Sequence, residues 1–291
     1  MLKGSYVALV TPFKNNEIDY NSLERLIDFQ IENRTDGILL CGTTGESPTI
    51  AGDEKERLMR FSIKKINGRI PVMMGTGTNN LHHTISATIK AQEWDVDYAL
   101  VITPYYNKPT QIGLYQYFKA VAEGTTIPIV IYNVPGRTGI NIQAETTIKL
   151  AKEFSNIVGI KEASGNLDQL SHIVKYTDKD FSVMSGEDAL NLPIMSCGAD
   201  GVISVTANIL PRKVYDLVEL CSKDKFNEAL KIHQELIEIN NALFIETNPI
   251  PVKEALHLMK KIERELRLPL CFMENDNLEI LNTVLKKYKL V

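Results

Sequence analysis

Lys161 is the side chain in this sequence best placed to do chemistry, because it lies within an apolar, strand-forming run from Ile157 to Ser164. Removing an ammonium group from water is costly, so a lysine in such a run is paired, reaches solvent, or is used in its neutral form. On a strand, Gly159 and Ala163 share the face of Lys161 and leave room for a small molecule beside the amine. The run alone leaves two interpretations open: a chemically active lysine, or an edge-strand lysine that extends into solvent.

Other residues suited to anion and proton chemistry follow further apolar runs. The segment from Gly42 to Ser47 (GTTGES) combines two glycines, which let the backbone bend, with hydroxyl groups that can converge on a carboxylate. A tight surface turn is the alternative interpretation of this segment. Arg137 offers a fork-shaped donor for a carboxylate, and the phenols of Tyr106 and Tyr132 can relay protons. Together with Lys161, these residues suit condensation of an amine with a keto acid, because the protonated imine that forms withdraws electrons.

The sequence has no pattern typical of a bound metal ion or phosphate. The four cysteines are far apart and form no C-x-x-C pair, and the histidines lie at helix starts or within helical segments. The segment Ser185 to Asp188 contains a glycine after an apolar run, as phosphate-binding loops do, but its two acidic residues argue against a phosphate there. We therefore predict no metal site.

Eight short apolar runs recur at fairly even spacing, and each is followed by a segment with helical periodicity. This alternation implies parallel strands with right-handed crossovers, and eight repeats predict a closed (β/α)8 TIM barrel, an α/β fold. An open doubly wound sheet is the alternative, but neither G-x-G-x-x-G nor G-x-x-x-x-G-K is present. The runs are Tyr6 to Val10, Gly37 to Cys41, Pro71 to Gly75, Tyr98 to Ile102, Pro128 to Tyr132, Ile157 to Lys161, Phe181 to Ser185 and Gly201 to Val205.

The sequence after the eighth run contains more helix than one barrel repeat needs. We predict that residues 1–224 form the barrel and that residues 225–291 form a C-terminal helical appendage, with no linker between them. Active sites of such barrels lie at the carboxyl ends of the strands, so the polar segments described above are predicted to meet at one rim.

Composition and charge narrow the classes of partner. The chain has 291 residues, a net charge of -4 and a pI near 5.8, which indicates no basic surface for nucleic acid or an anionic membrane. No signal peptide and no apolar segment long enough to span a bilayer are predicted, so we expect a cytoplasmic protein that acts on small molecules.

The motifs resemble those of the class I pyruvate aldolase family that contains dihydrodipicolinate synthase and N-acetylneuraminate lyase. The similarity runs from Gly4 to the C-terminal helices. Its most specific segments are GTTGE at 42–46, TPYYNKP at 103–109, YNVPGRTG at 132–139, GIKEA at 159–163 and NPIPVK at 248–253.

The resemblance implies a reaction and a set of site residues. It implies that Lys161 forms a Schiff base with pyruvate, and that the resulting enamine attacks the aldehyde of L-aspartate 4-semialdehyde. The product is a hydroxylated tetrahydrodipicolinate, in the first committed step of lysine and diaminopimelate biosynthesis. No cofactor or metal is implied. The implied proton relay consists of Tyr132, Thr44 and Tyr106; the implied substrate-binding residues are Thr43, Thr44, Arg137, Gly186 and Ile203.

The resemblance also implies an assembly. Tyr106 would come from the neighbouring subunit, so that a dimer is the smallest complete site and a homotetramer is a dimer of dimers. Arg137 favours an amino-acid-derived aldehyde, because sialic acid lyases of this family typically lack an arginine in the equivalent segment. An aldolase for N-acetylneuraminate or a deoxy-sugar acid, and a non-catalytic barrel that serves as a scaffold, stay open as alternatives.

Two further expectations concern regulation and charge. Family members inhibited by lysine bind it with residues aligned to Ser47, Asn79, Tyr105 and three positions that differ here, namely Gly52, Lys55 and His83. Loss of an acid at His83 and gain of a cation at Lys55 should oppose binding of a cationic effector, so we expect weak or absent inhibition by lysine. We also expect burial and nearby phenols to hold Lys161 partly deprotonated.

Overall fold

Eight parallel strands close into a barrel in the computed structural model, which describes residues 2–291. The strand from Gly4 to Ala8 pairs with both the second and the eighth strand and so closes the ring. The (β/α)8 barrel predicted from the sequence is confirmed, and the open doubly wound sheet is excluded. In chain order the strands are β1 (Gly4–Ala8), β2 (Gly37–Leu40), β3 (Val72–Gly75), β4 (Tyr98–Ile102), β5 (Ile129–Asn133), β6 (Ile157–Glu162), β7 (Ser182–Ser185) and β8 (Gly201–Ser204).

Helices follow the strands, and several begin at side chains that cap them. Asp19 accepts hydrogen bonds from the first turn of its helix, as do Asn80, Thr110 and Asn166, which satisfies amides that have no partner within the helix. The helices are α1 (Tyr20–Glu32), α2 (Gly52–Ile66), α3 (Leu81–Glu93), α4 (Gln111–Glu123), α5 (Pro135–Thr138), α6 (Ala144–Glu153), α7 (Leu167–Tyr176), α8 (Asn191–Ser196), α9 (Pro211–Ser222), α10 (Phe226–Ala242), α11 (Ile250–Leu258) and α12 (Asn275–Lys287).

Alternate residues of each strand belong to two different cores. In β2, Leu39 points into the barrel, whereas Ile38 and Leu40 pack in the layer between strands and helices. The same alternation in β6 turns Lys161 toward the interior, and Ala163 just beyond the strand joins the interior cluster. Strand β6 pairs with β5 on one side and β7 on the other. Lys161 is therefore not on an edge strand, and the solvent-reaching interpretation is wrong.

The helices after the eighth repeat pack against one another and against the barrel. Helix α10 contacts α8, α9 and α12, and α11 contacts α12. The division at residues 224 and 225 falls between α9 and α10, and two separate units remain a prediction. Within residues 2–291, no helix has both the length and the apolar character needed to cross a membrane.

Candidate active site

A cavity of about 220 Å³ opens at the carboxyl ends of the strands and contains most of the residues predicted to do chemistry. Parallel strands end at the same rim, so segments far apart in sequence meet there. The predicted residues that line the cavity are Thr43, Thr44, Tyr132, Arg137, Lys161 and Gly186.

Lys161 lies at the end of β6, with 5 % of its surface exposed and its Nζ 4.4 Å from the centroid of the Tyr132 ring. The register of β5 against β6 places these two residues side by side. Within residues 2–291 its Nζ forms no hydrogen bond and no ion pair. A Cβ at Gly186 would lie 2.7 Å from Cβ of Ala163 and 3.0 Å from Cε of Lys161, so a larger residue at this position would crowd both side chains. The amine is thus held in the cavity wall with room at its tip.

The residue after Lys161 fastens β6 to β5 from the opposite face. The buried carboxylate of Glu162 accepts hydrogen bonds from Asn133 at 3.0 and 3.2 Å, from the amide of Ser164 at 2.7 Å and from Gln169 at 3.1 Å. All of these donors are neutral, and together they offset the cost of burying the charge. The network fixes the ends of the two strands that carry the lysine and the phenol.

The turn after β2 is held by the C-terminal segment. Thr44 is buried, and its Oγ1 accepts a hydrogen bond of 3.0 Å from Nδ2 of Asn248. The carbonyl oxygen of Asn248 accepts a bond of 3.0 Å from Arg137. Asn248 Oδ1 is buried without a partner within residues 2–291. One residue outside the barrel repeats therefore contacts two residues predicted from the sequence.

A second potential nucleophile in the cavity wall is inactive. Cys41 lines the cavity, but burial raises the pKa of its thiol to about 12, so the thiol stays protonated near neutral pH. Lys161 is the nucleophile that the geometry favours.

Glu187 is the one acidic residue among the described residues that line the cavity. Burial raises the pKa of its carboxyl group, and the nearby charge of Asp188 raises it further, whereas Lys161 and Arg137 act in the opposite direction. Two cations thus lie within electrostatic range of a half-buried carboxylate that faces the open space.

Three features meet at this cavity: a lysine beside a phenol at the end of the sixth strand, a hydroxyl-bearing turn after the second strand, and an arginine after the fifth. A model of the dihydrodipicolinate synthetase family matches residues 1–288. The chain belongs to this family.

Curated and solved relatives in the dihydrodipicolinate synthetase family match over the full length. The chain is 50 % identical over 290 residues to a 4-hydroxy-tetrahydrodipicolinate synthase of Aquifex aeolicus, which covers 100 % of this chain and 99 % of the relative. A relative of the same name from Hydrogenobaculum is also 50 % identical, and each chain is fully covered. The crystal structure of dihydrodipicolinate synthase from Aquifex aeolicus gives a TM-score of 0.98 at 50 % identity, with 99 % of both chains covered. The enzyme from Thermotoga maritima gives 0.98 at 44 % identity, with both chains fully covered.

Two residues that the family resemblance implied do not line the cavity. Tyr106 is 88 % exposed, and its neighbour Tyr105 lines the cavity instead. Ile203 is fully buried in the cluster that fills the barrel interior. Within residues 2–291 no group of three His, Cys, Asp or Glu side chains could hold a metal ion.

The cavity-lining residues that were not among the predicted site residues of this family member include Lys55, Glu187 and Asn248. A signal was present for two of them. Glu187 follows the predicted Gly186, and Asn248 begins the NPIPVK segment that carries part of the resemblance. Lys55 lies on α2, and the resemblance relates it only to the lysine-binding positions of the family, not to the substrate site.

Proposed function

We infer that this chain is a 4-hydroxy-tetrahydrodipicolinate synthase, a lyase that condenses pyruvate with L-aspartate 4-semialdehyde. Full-length relatives of that name at 50 % identity support the assignment. The observation that carries it is Lys161, a buried amine without a partner that faces a cavity shared with Tyr132 and Arg137. The product belongs to lysine and diaminopimelate biosynthesis, and the cytoplasmic location expected from the sequence is part of this proposal.

The first step joins pyruvate to the lysine. Neutral Lys161 Nζ attacks the keto carbon, the adduct takes up a proton from the relay and loses water, and a protonated imine forms. We assign the pyruvate carboxylate to the hydroxyls and amides of Thr43 and Thr44, since both residues line the cavity in a glycine-flanked turn. Loss of a methyl proton gives an enamine, whose carbon attacks the aldehyde of the second substrate. The amino group of the adduct then displaces Lys161 and closes the ring.

These steps require proton transfer, which we assign to Tyr132 and Thr44 within one chain. The centroid of the Tyr132 ring lies 4.4 Å from Lys161 Nζ, so the ring that carries the phenolic hydroxyl is next to the reacting amine. Asn248 donates to Thr44 Oγ1, which leaves the hydroxyl hydrogen of Thr44 available for another acceptor.

We assign the third relay residue, Tyr106, to a neighbouring subunit of a homodimer, two of which would form the tetramer. The side chain is 88 % exposed and Ile112 nearby in sequence is 76 % exposed, an apolar surface that a subunit contact would cover. Mixing Lys161→Ala protein with Tyr106→Ala protein tests this assignment. If Tyr106 acts across the interface, mixed dimers recover activity that neither parent has; no recovery would place Tyr106 in its own site or outside catalysis.

The acceptor assignment is tested with pyruvate and two aldehydes, L-aspartate 4-semialdehyde and N-acetylmannosamine. Native protein should turn over only the semialdehyde, and Arg137→Ala should lose most of that activity, because the guanidinium provides a fork for the carboxylate. Arg212→Ala, an exposed arginine on α9, serves as the matched control. Turnover of the sugar that is indifferent to Arg137 would support the sugar-acid aldolase instead.

The scaffold alternative is tested by borohydride reduction with pyruvate. Native protein should gain a stable mass adduct, and Lys161→Ala should not. Absence of an adduct on native protein would favour a non-catalytic barrel.

We also propose that free lysine inhibits this enzyme weakly or not at all. Lys55 lines the cavity, and His83 stands where family members inhibited by lysine have an acidic residue. A cationic effector would therefore meet a like charge and lack its acidic partner. Half-maximal inhibition by lysine at a concentration well below that of the substrates would contradict this proposal.

A further inference from the structure

Glu187 lines the cavity, and its carboxylate accepts no hydrogen bond from any group within residues 2–291. We propose that Glu187 binds the ammonium group of the aldehyde substrate, so that it and Arg137 select a small aldehyde with both a carboxylate and an ammonium group. This inference rests on the proposed function and names how the same site recognises its second substrate.

The two neighbouring acids show what a satisfied carboxylate looks like in this fold. Asp188 is buried and accepts hydrogen bonds from Ser204 Oγ at 2.5 Å and from the amides of Val205 and Thr206 at 2.8 and 3.0 Å. Glu162 is buried and accepts four hydrogen bonds from neutral donors. Both groups tie strands together and have no free capacity for a ligand.

Glu187 differs from both because its carboxylate forms no hydrogen bond and no ion pair within residues 2–291, although its backbone amide binds Ser185. The side chain is half-buried and lines the cavity. A carboxylate that is partly removed from water and left without donors is unfavourable, which is why burial raises its pKa. A cationic ligand group would satisfy it.

The charges of the cavity match those of the substrates only if Glu187 takes the ammonium group. Three cations line the cavity, namely Lys55, Arg137 and Lys161, against one acid. The two substrates together carry two carboxylates and one ammonium group. Arg137 is the cation proposed for the carboxylate of the second substrate, and Glu187, the one acid among the described residues of the lining, is the anion available to the ammonium group.

Glu187 could instead act as a counterion of Lys161, since the two charges interact. That role would affect the first step, which involves pyruvate alone. Recognition of the ammonium group would affect only the second step, and only for an aldehyde that carries an amino group. The two roles therefore separate by substrate.

The experiment compares L-aspartate 4-semialdehyde as the substrate with succinate semialdehyde as a competitive inhibitor, because succinate semialdehyde keeps the chain length and the carboxylate but lacks the amino group that closes the ring and releases Lys161. Native protein, Glu187→Gln, Glu187→Asp and the exposed control Glu145→Gln are assayed for kcat and KM with L-aspartate 4-semialdehyde and for the inhibition constant of succinate semialdehyde. The glutamine variant preserves the size of the side chain. In Glu187→Gln, kcat/KM for the amino aldehyde should fall roughly 10- to 100-fold, the effect of losing a charge-assisted hydrogen bond. The inhibition constant of succinate semialdehyde should not change, and Glu187→Asp should recover part of the loss in kcat/KM.

Each contrary outcome identifies what is wrong. Weaker inhibition by succinate semialdehyde in proportion to the loss of kcat/KM, or slower borohydride trapping of the pyruvate adduct in Glu187→Gln, would overturn the inference and leave the proposed function intact. Failure of native protein to use L-aspartate 4-semialdehyde would overturn the proposed function and this inference with it.

Discussion

The structure buries two lysines beside aromatic rings, and they differ in one respect. Lys161 is 5 % exposed with Nζ 4.4 Å from the centroid of the Tyr132 ring, and Lys253 is 2 % exposed with Nζ 4.3 Å from that of Phe13. Lys253 donates a hydrogen bond of 2.5 Å to the buried carboxylate of Glu46. Lys161 has no such partner among residues 2–291. Both lysines are therefore buried beside an aromatic ring, and they differ in that only Lys253 is hydrogen-bonded to a carboxylate.

The anion separates a structural role from a chemical one. Burial lowers the pKa of Lys253 and Glu46 opposes that shift, so the pair is held as a buried ion pair. Glu46 also accepts a hydrogen bond of 3.0 Å from the amide of Arg267, which joins the turn after β2 to the C-terminal segment. Lys161, in contrast, faces a cavity that a keto acid can enter. A buried lysine that is paired stabilises the fold, whereas one left unpaired at a cavity is available for an imine.

The largest expected effect comes from removing the unpaired lysine. Lys161→Met should reduce kcat/KM by more than about a thousandfold, because the covalent step has no other nucleophile. The free energy of unfolding, measured with urea, should not fall, because a buried amine without a partner is itself unfavourable. Retained activity would remove the chemical role, and a large loss of stability would mean that Lys161 is structural like Lys253.

The paired lysine should behave in the opposite way. Lys253→Met leaves the Glu46 carboxylate buried without its cation, so we expect a loss of about 3–5 kcal/mol in the free energy of unfolding. The double variant Lys253→Met/Glu46→Leu removes both charges and should recover much of that loss. A single variant as stable as the native protein would show that the ion pair contributes nothing, and the comparison of the two lysines would then fail.

The sequence was sufficient to predict the barrel and its lysine. Eight apolar runs at even spacing admit few folds, and β1 is the least accurate of them, since the predicted run from Tyr6 to Val10 lies two residues beyond the strand Gly4–Ala8. Lys161 stands out because a charged residue interrupts a strand pattern that is otherwise apolar and small. These signals lie within short stretches of sequence. Once the strands are known to be parallel, the barrel topology places all of their carboxyl ends at the same rim.

Contacts between distant segments could not be predicted in the same way. Asn248 and Thr44 are 204 positions apart, and neither helical nor strand periodicity relates them. In the sequence, the acidic pair Glu187 and Asp188 after β7 argues only against a phosphate. Asp188 is satisfied by the amides after β8, which leaves Glu187 facing the cavity, and only three-dimensional packing decides which of the two acids is free.

Asn248 connects the C-terminal segment that carries the paired lysine, Lys253, to residues around the reactive lysine, Lys161. It therefore tests how that segment supports the reaction. Its Nδ2 donates to Thr44 Oγ1, and its carbonyl oxygen binds Arg137. In Asn248→Asp the carboxylate can only accept, so the hydroxyl of Thr44 would donate to it and lose its place in proton transfer. We expect kcat to fall by up to about a hundredfold, with a smaller change in KM for the semialdehyde because the contact with Arg137 uses the backbone.

The steady-state constants of Asn248→Asp, Thr44→Val and the double variant check this coupling. If Asn248 acts through Thr44, the double variant should be no worse than the more impaired single variant. Additive losses would mean that Asn248 and the hydroxyl of Thr44 act independently.

The smallest expected effect concerns the ion pair of Arg267 and Glu54, which lies near the surface beside the buried pair of Lys253 and Glu46. Arg267 donates to both oxygens of Glu54, at 2.6 and 2.7 Å, and this contact lowers the pKa of the Glu54 carboxyl to about 2, against the effect of burial. Because the pKa in the folded state lies below its ordinary value of 4.5, the contribution to stability is complete above that value and is lost as the pH falls toward 2.

Relative to Glu54→Gln, native protein should be more stable by roughly 1 kcal/mol at neutral pH, since the pair is near the surface. That difference, measured by urea unfolding, should shrink between pH 5 and pH 3. A difference that does not change with pH would assign the effect to packing of the side chain, and only the buried pair of Lys253 and Glu46 would then count as electrostatic support.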